Sequence, residues 1–137
     1  MYIENSIVIK ANVDKVFEVM ADVEKWHEFM LHHKRKVKIL SREQNKLLIE
    51  RDGIIKWKAS IIIDRKNKLM KALHLAGVTK GLLAIWKFEE IPEGTKMTLS
   101  HTFIPKIPFF GRLKWLIIKK GIERINSLKA VKEKVEG

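Results

Sequence analysis

Residues 108–137 read PFFGRLKWLIIKKGIERINSLKAVKEKVEG and form the longest helical signal in the chain. Pro108 fits a first helical turn, where its missing N–H costs nothing. Apolar residues then recur at Phe110, Leu113, Ile117, Ile125, Leu128 and Val135, in steps compatible with one helical face. The first half is apolar on more than that face, because Phe109, Trp115, Leu116, Ile118 and Ile122 add to it. The second half is apolar on one side and carries Lys129, Lys132, Glu133, Lys134 and Glu136 on the other. A helix of this length must bury its stripe, and everything before Pro108 reads as strands and two short helices. One face of a sheet is therefore the expected partner.

Working back from that helix, Met97, Leu99, His101 and Phe103 alternate along a last strand, which Pro105 and Pro108 end. Pro92-Glu93-Gly94 turns into it from a long strand with Leu82, Ala84, Trp86 and Phe88 on one face. Before that, Met70, Ala72 and His74 alternate on one strand, and Trp57, Ala59, Ile61 and Ile63 on another. Asp52-Gly53 is a hairpin signal between apolar runs. Strands are expected near 37–42 and 47–51. At the N-terminus Ile3, Asn5, Ile7 and Ile9 line one face of a first strand. Asn12 is placed to cap a helix carrying Val13, Val16, Phe17 and Met20, and Asp22 to cap a second one carrying Val23 and Trp26. The sum is an α+β fold: two short helices after the first strand, then about six strands in hairpin succession, then one long helix. With no helical crossover between the later strands, the sheet should be largely antiparallel. No repeat or linker interrupts residues 1–137, which read as a single domain.

Composition narrows the function. At 46% hydrophobic and 32% charged residues the chain is globular. With no cysteine, thiolate catalysis, disulfides and cysteine zinc sites are excluded. No apolar run approaches a membrane span, and no signal-peptide pattern opens the sequence, so a cytoplasmic location is expected. The net charge is +12, from 28 basic and 16 acidic residues. Such a charge favours an anionic partner, although lysines that alternate with apolar residues also serve solubility. Abundant Lys, Glu and Ile with one glutamine fits a thermophilic bias.

Three segments carry a family resemblance. SIVIKANVDKVF (6–17) resembles the first strand and helix, ADVEKWHEF (21–29) the second helix, and GLLAIWKFE (81–89) the late strand of the START-like, polyketide cyclase and coenzyme Q-binding superfamily. That superfamily is also called SRPBCC or helix-grip. His27 stands where relatives often carry proline. The resemblance covers nearly the whole chain. It implies a curved antiparallel sheet of about seven strands wrapped around the long C-terminal helix, with a cavity between them. It also implies binding or transport of a small hydrophobic ligand such as a lipid, quinone or polyketide-like molecule. An aromatase/cyclase acting on a poly-β-keto substrate is the enzymatic alternative, and a toxin-like module on a ribosome or anionic membrane is the third. No cofactor is implied.

Small residues on the inferred inner faces, Ala59, Ala72 and Ala84, agree with a cavity. So does Gly121 beside the helical stripe, since a helical glycine costs roughly 1 kcal/mol relative to alanine. The expected lining adds Trp57, Trp86, Phe103, Phe109, Leu113 and Ile117. Polar residues on apolar faces are the informative positions. Asn5, His74 and His101 qualify, with the two histidines as weak catalytic candidates or ligand-orienting groups. No set of residues has metal-ligand spacing: His32 and His33 diverge on a strand, and His27, His74 and His101 are far apart in sequence. No phosphate loop or nucleophile elbow is present, and specific DNA recognition is not indicated. Residues 106–137 hold nine basic and three acidic residues. Lys119, Lys120 and Arg124, beside Trp115, Leu116 and Ile118, are the candidate anionic-partner surface. Leu83 and Ile85 should point away from the Ala84–Trp86 face and offer an apolar patch for a homodimer.

Overall fold

The computed structural model describes residues 1–29, 37–51, 56–77, 79–103, 108–125 and 127–137. Side chains are described for all of these except residues 108–110 and 123–125. The Asp52-Gly53 hairpin and the His32-His33 pair lie outside the described residues. Among the described residues there are seven strands: β1 Tyr2–Ile9, β2 Lys38–Glu43, β3 Lys46–Arg51, β4 Trp57–Asp64, β5 Leu69–Ala76, β6 Leu82–Ile91 and β7 Gly94–Phe103. They form one antiparallel sheet in the order β1-β7-β6-β5-β4-β3-β2. Every neighbouring pair except β1–β7 is consecutive in sequence, as hairpin succession requires. Register shifts between Ile39 and Ser41, and between Lys58 and Ala59, mark bulges that sharpen the twist and bend the sheet.

Helix α1, Val13–Ala21, follows β1, and a 3-10 turn over Val23–Glu28 follows it. Asn12 caps α1 as expected: its Oδ1 accepts from the Lys15 backbone N–H at 2.8 Å. Asn12→Ala should lower stability by about 1 kcal/mol, read as a shift in the urea midpoint. Asp22 does not cap the following turn. Its side chain makes no cap hydrogen bond and lies instead 3.7 Å from the exposed Lys25 ammonium.

The C-terminal helical segment is described as α2, Pro108–Ile125, and α3, Ser127–Glu136, and residue 126 between them lies outside the described residues. α3 buries Leu128, Val131 and Val135 against β1 and α1. Two polar contacts fix its end. The Lys132 ammonium donates to the Val8 carbonyl at 2.6 Å, and the Lys10 backbone N–H donates to Glu136 at 3.1 Å. That second bond, first among the causes, holds the Glu136 carboxyl below its ordinary pKa.

The alternations read from the sequence set the inner face. Ala59, Ile61, Ile63, Met70, Ala72, Leu82, Ala84, Trp86, Phe88, Met97, Leu99 and Phe103 are all buried. They divide into two apolar clusters. The larger one gathers the α1, α3 and mid-sheet residues. The smaller one consists of Leu82, Phe103, Trp115 and Ile118, with Ile3 and Ile122 against it. On the outer face Ile62, Leu73 and Leu75 are exposed and Leu83 and Ile85 half-buried, which places the apolar patch where the alternation put it.

Candidate functional site

The site begins with the alternation of β7. Thr95, Met97, Leu99, His101 and Phe103 all turn inward and are buried. Two of the five are polar, and they are treated differently. The Thr95 hydroxyl donates to the Ala11 carbonyl at 2.8 Å. His101, only 8% exposed, has an Nδ1 with no hydrogen-bond partner among the described residues. An unpartnered buried polar atom costs about 1–3 kcal/mol, so its position asks for an explanation. Burial lowers the imidazole pKa to about 4, which keeps the ring neutral at physiological pH.

His101 sits at the seam of the two clusters. Leu99, two residues before it, belongs to the larger cluster, and Phe103, two residues after, to the smaller. The register places His101 opposite Ala84, and Ala84 opposite Ala72. A row of one imidazole and two methyl groups thus crosses the middle of the inner face. Large rings stand on either side. Trp86 lies one step along β6, its ring 6.0 Å from that of Trp26. Phe103 stacks on Trp115 of α2 with centroids 6.2 Å apart and planes within 7°.

A second polar group lies toward the other end of β5. The Trp57 indole N–H donates to His74 Nδ1 at 3.1 Å, and the Thr79 hydroxyl is 2.5 Å from the same nitrogen. The Nδ1 lone pair of His74 is thus engaged by the indole N–H. The guanidinium of Arg51 lies 5.1 Å above the Trp57 ring. Arg51 pairs with Trp57 across β3 and β4, and burial lowers its pKa. Arg51 was not among the expected site residues. The signal was present, because Leu47, Ile49 and Arg51 alternate on one face of β3.

Expectation and structure part at several residues. Asn5 has the inner-face register, opposite Leu99, but is exposed, on a strand at the edge of the sheet. Leu113 and Ile117 were expected to face inward, yet they are 58% and 61% exposed. Trp115 and Ile118 are buried in their place, with Ile122 packed beside them. Both sides of this helix are apolar, so periodicity alone could not choose between them, and the Phe103–Trp115 stack did. Gly121 is half-buried, and a Cβ there would meet nothing within 4 Å, so it does not serve close packing. The side chains of Phe109 and Arg124 lie outside the described residues. Lys119 and Lys120 are exposed. His74 and His101 do lie on the strands flanking β6, but in different cross-strand rows: His101 aligns with Ala72, and His74 lies two residues further on.

Among the described residues no cluster of His, Asp or Glu could hold a metal ion. Nor is any helix among them long and apolar enough to cross a membrane. A polar groove of about 370 Å³ opens by α1, but its walls are ion-paired, Arg42 with Glu24 at 2.9 Å and Arg65 with Glu18 at 3.3 Å. It offers no apolar surface comparable to the inner face.

The sequence profile described as polyketide cyclase/dehydrase and lipid transport matches residues 9–127. A Streptomyces cyaneus protein provisionally named a polyketide cyclase is 29% identical over 111 residues, 75% of this chain and 72% of that protein. Among solved structures, the Zhui aromatase/cyclase from Streptomyces sp. R1128 superimposes with a TM-score of 0.83 at 20% identity, covering 99% of this chain and 93% of its own. A Thermus thermophilus protein gives 0.79 at 21% identity, covering 98% and 97%. A START superfamily protein from Mycobacterium smegmatis gives 0.70 at 11%, covering 98% and 97%. At these identities the structural likenesses establish the helix-grip fold.

Proposed function

The chain belongs to the polyketide cyclase/dehydrase and lipid transport family, and from that premise we propose that it binds a small hydrophobic ligand between the inner sheet face and α2. The observation that carries this reading is the unpartnered, buried Nδ1 of His101, set between two apolar clusters beside Ala84 and Ala72. Alanines in the middle of the sheet give room, the flanking rings Trp86, Phe103 and Trp115 suit a flat apolar molecule, and one imidazole nitrogen suits one polar group on it. A lipid, a quinone or a polyketide-like polycycle meets these requirements. Ala59, Trp57 and His74 extend the same face toward the open end of the sheet.

The aromatase/cyclase reading draws on the family and on the Streptomyces relatives. It would use His101 or His74 on a poly-β-keto substrate. The acidity of His101 weighs against a proton-abstracting role in the unliganded protein, because a base with a pKa near 4 is weak at neutral pH. Orientation of a ligand carbonyl or hydroxyl by a neutral imidazole fits better. Full turnover by a His74→Ala, His101→Ala double variant would remove the enzymatic reading as framed on these residues. The partner favoured by the +12 charge is anionic, with a homodimer through the outer sheet face as the alternative.

The ligand reading is tested at Ala84. Ala84→Leu should reduce binding of a hydrophobic ligand recovered by solvent extraction of the native protein, while the melting temperature stays near wild type. If the interior is closely packed, the added carbons instead cost about 1–3 kcal/mol. That loss of stability, together with extracts empty of any lipid-like compound, would overturn the reading.

A further inference from the structure

Helix α2 presents two apolar faces. Trp115, Ile118 and Ile122 pack on Phe103 and Leu82. At about 100° per residue, Leu113, Leu116 and Ile117 fall on the opposite side. They are 58%, 56% and 61% exposed, which makes them, with Tyr2, the most exposed large hydrophobic side chains among the described residues. Spacing i, i+3, i+4 makes them one ridge. Lys120 falls within the same arc, and the exposed Arg112 and Lys119 flank it. No acidic residue occupies the first turn of the helix.

We propose that this ridge docks the protein on an anionic lipid bilayer. Charge complementarity selects that occupant. Basic residues border the ridge, on a chain of net charge +12. A second copy would bring two such surfaces into contact against their own repulsion. A nucleic acid satisfies the lysines but leaves three large aliphatic side chains in water. A bilayer with anionic headgroups satisfies both: leucine and isoleucine enter the acyl boundary, while the lysines and the arginine extend to the phosphates. Docked in this way, α2 lies parallel to the membrane with Trp115 and Ile118 facing the protein interior, so the helix separates the bilayer from the apolar site. The surface stands on the exposure and charge of α2 and does not depend on the identity or existence of the ligand.

The test is vesicle co-flotation of the full chain. Wild type should bind vesicles containing phosphatidylglycerol, bind weakly to phosphatidylcholine alone, and dissociate as salt is raised. A Leu113→Ser, Leu116→Ser, Ile117→Ser triple variant should lose at least about tenfold in partition coefficient, with unchanged circular dichroism and melting temperature, because the three residues contribute little to the core. Lys119→Glu with Lys120→Glu should lose a comparable factor by charge. The Ala84→Leu variant should still bind vesicles, which separates failure of this surface from failure of the ligand site. The proposal is overturned if wild type ignores anionic vesicles or if the triple serine variant binds as wild type does. A wild-type dimer in solution that the triple serine variant converts to monomer would overturn it as well, by assigning the ridge to a second copy.

Discussion

Acidification from neutral pH to about 4 should cost the protein about 3 kcal/mol of stability through one residue, His101. The folded imidazole has its pKa lowered to about 4 by burial, whereas in the unfolded chain it titrates near 6.5. Between these values the unfolded state binds a proton that the folded state does not, so stability falls as pH falls. The contribution is fully present above about 6.5, is lost progressively down to about 4, and changes no further once both states are protonated. Urea unfolding of wild type and His101→Phe across this range isolates the effect. At neutral pH the variant should be as stable as wild type or more so, since it removes an unpartnered buried nitrogen. Near pH 4 it should exceed wild type by about 3 kcal/mol. Parallel stability curves would show that His101 is not held neutral. The carboxylates act lower on the scale. Asp64, held down by hydrogen bonds from the Asn67 side chain and backbone, and Glu136 contribute stability that is lost only as pH drops through the carboxylate range. The histidine window is therefore distinguishable from general acid unfolding.

Trp26→Ala should destabilise the fold by about 3–5 kcal/mol, the expected cost of emptying a large buried aromatic site. Trp26 is only 2% exposed, and its indole N–H donates to the Met20 carbonyl at 2.9 Å. That bond occupies a carbonyl in the last turn of α1, which would otherwise be left open at a helix end. The ring also meets Trp86, the aromatic neighbour of Ala84 on the inner face. Trp26→Phe should recover most of the packing and lose about 1 kcal/mol for the hydrogen bond. Thermal or urea unfolding reads both variants. Equal losses in the two would mean that the hydrogen bond, and not the packing, carries the contribution.

The sequence by itself determined the element order, the antiparallel hairpin succession and the inner face of β4 to β7. A period-two alternation leaves no choice of face once one side must be dry, and Ala59, Ala72, Ala84, Trp86, His101 and Phe103 were legible for that reason. Arg51 was equally legible from the alternation of Leu47 and Ile49, but a charge at a strand end reads as solvated until Trp57 is placed across from it. Only the tertiary structure decided the rest. Asn5 obeys the alternation yet is exposed, because burial at an edge strand depends on what covers it and not on parity. Leu113 and Ile117 had the periodicity of a buried stripe, but α2 is apolar on both sides, and a hydrophobic pattern fixes the phase of a helix only when one side is polar. The stack of Trp115 on Phe103 fixed it instead. The excess of apolar residues at the start of the C-terminal helix thus resolves into two faces, one packed on the sheet and one left in solvent. Finally, the difference between Thr95 and His101, two inward polar residues on one strand, is a difference of available partners. The Ala11 carbonyl lies within reach of the first, and among the described residues no group lies within reach of Nδ1 of the second, which is decided by where the chain returns in space.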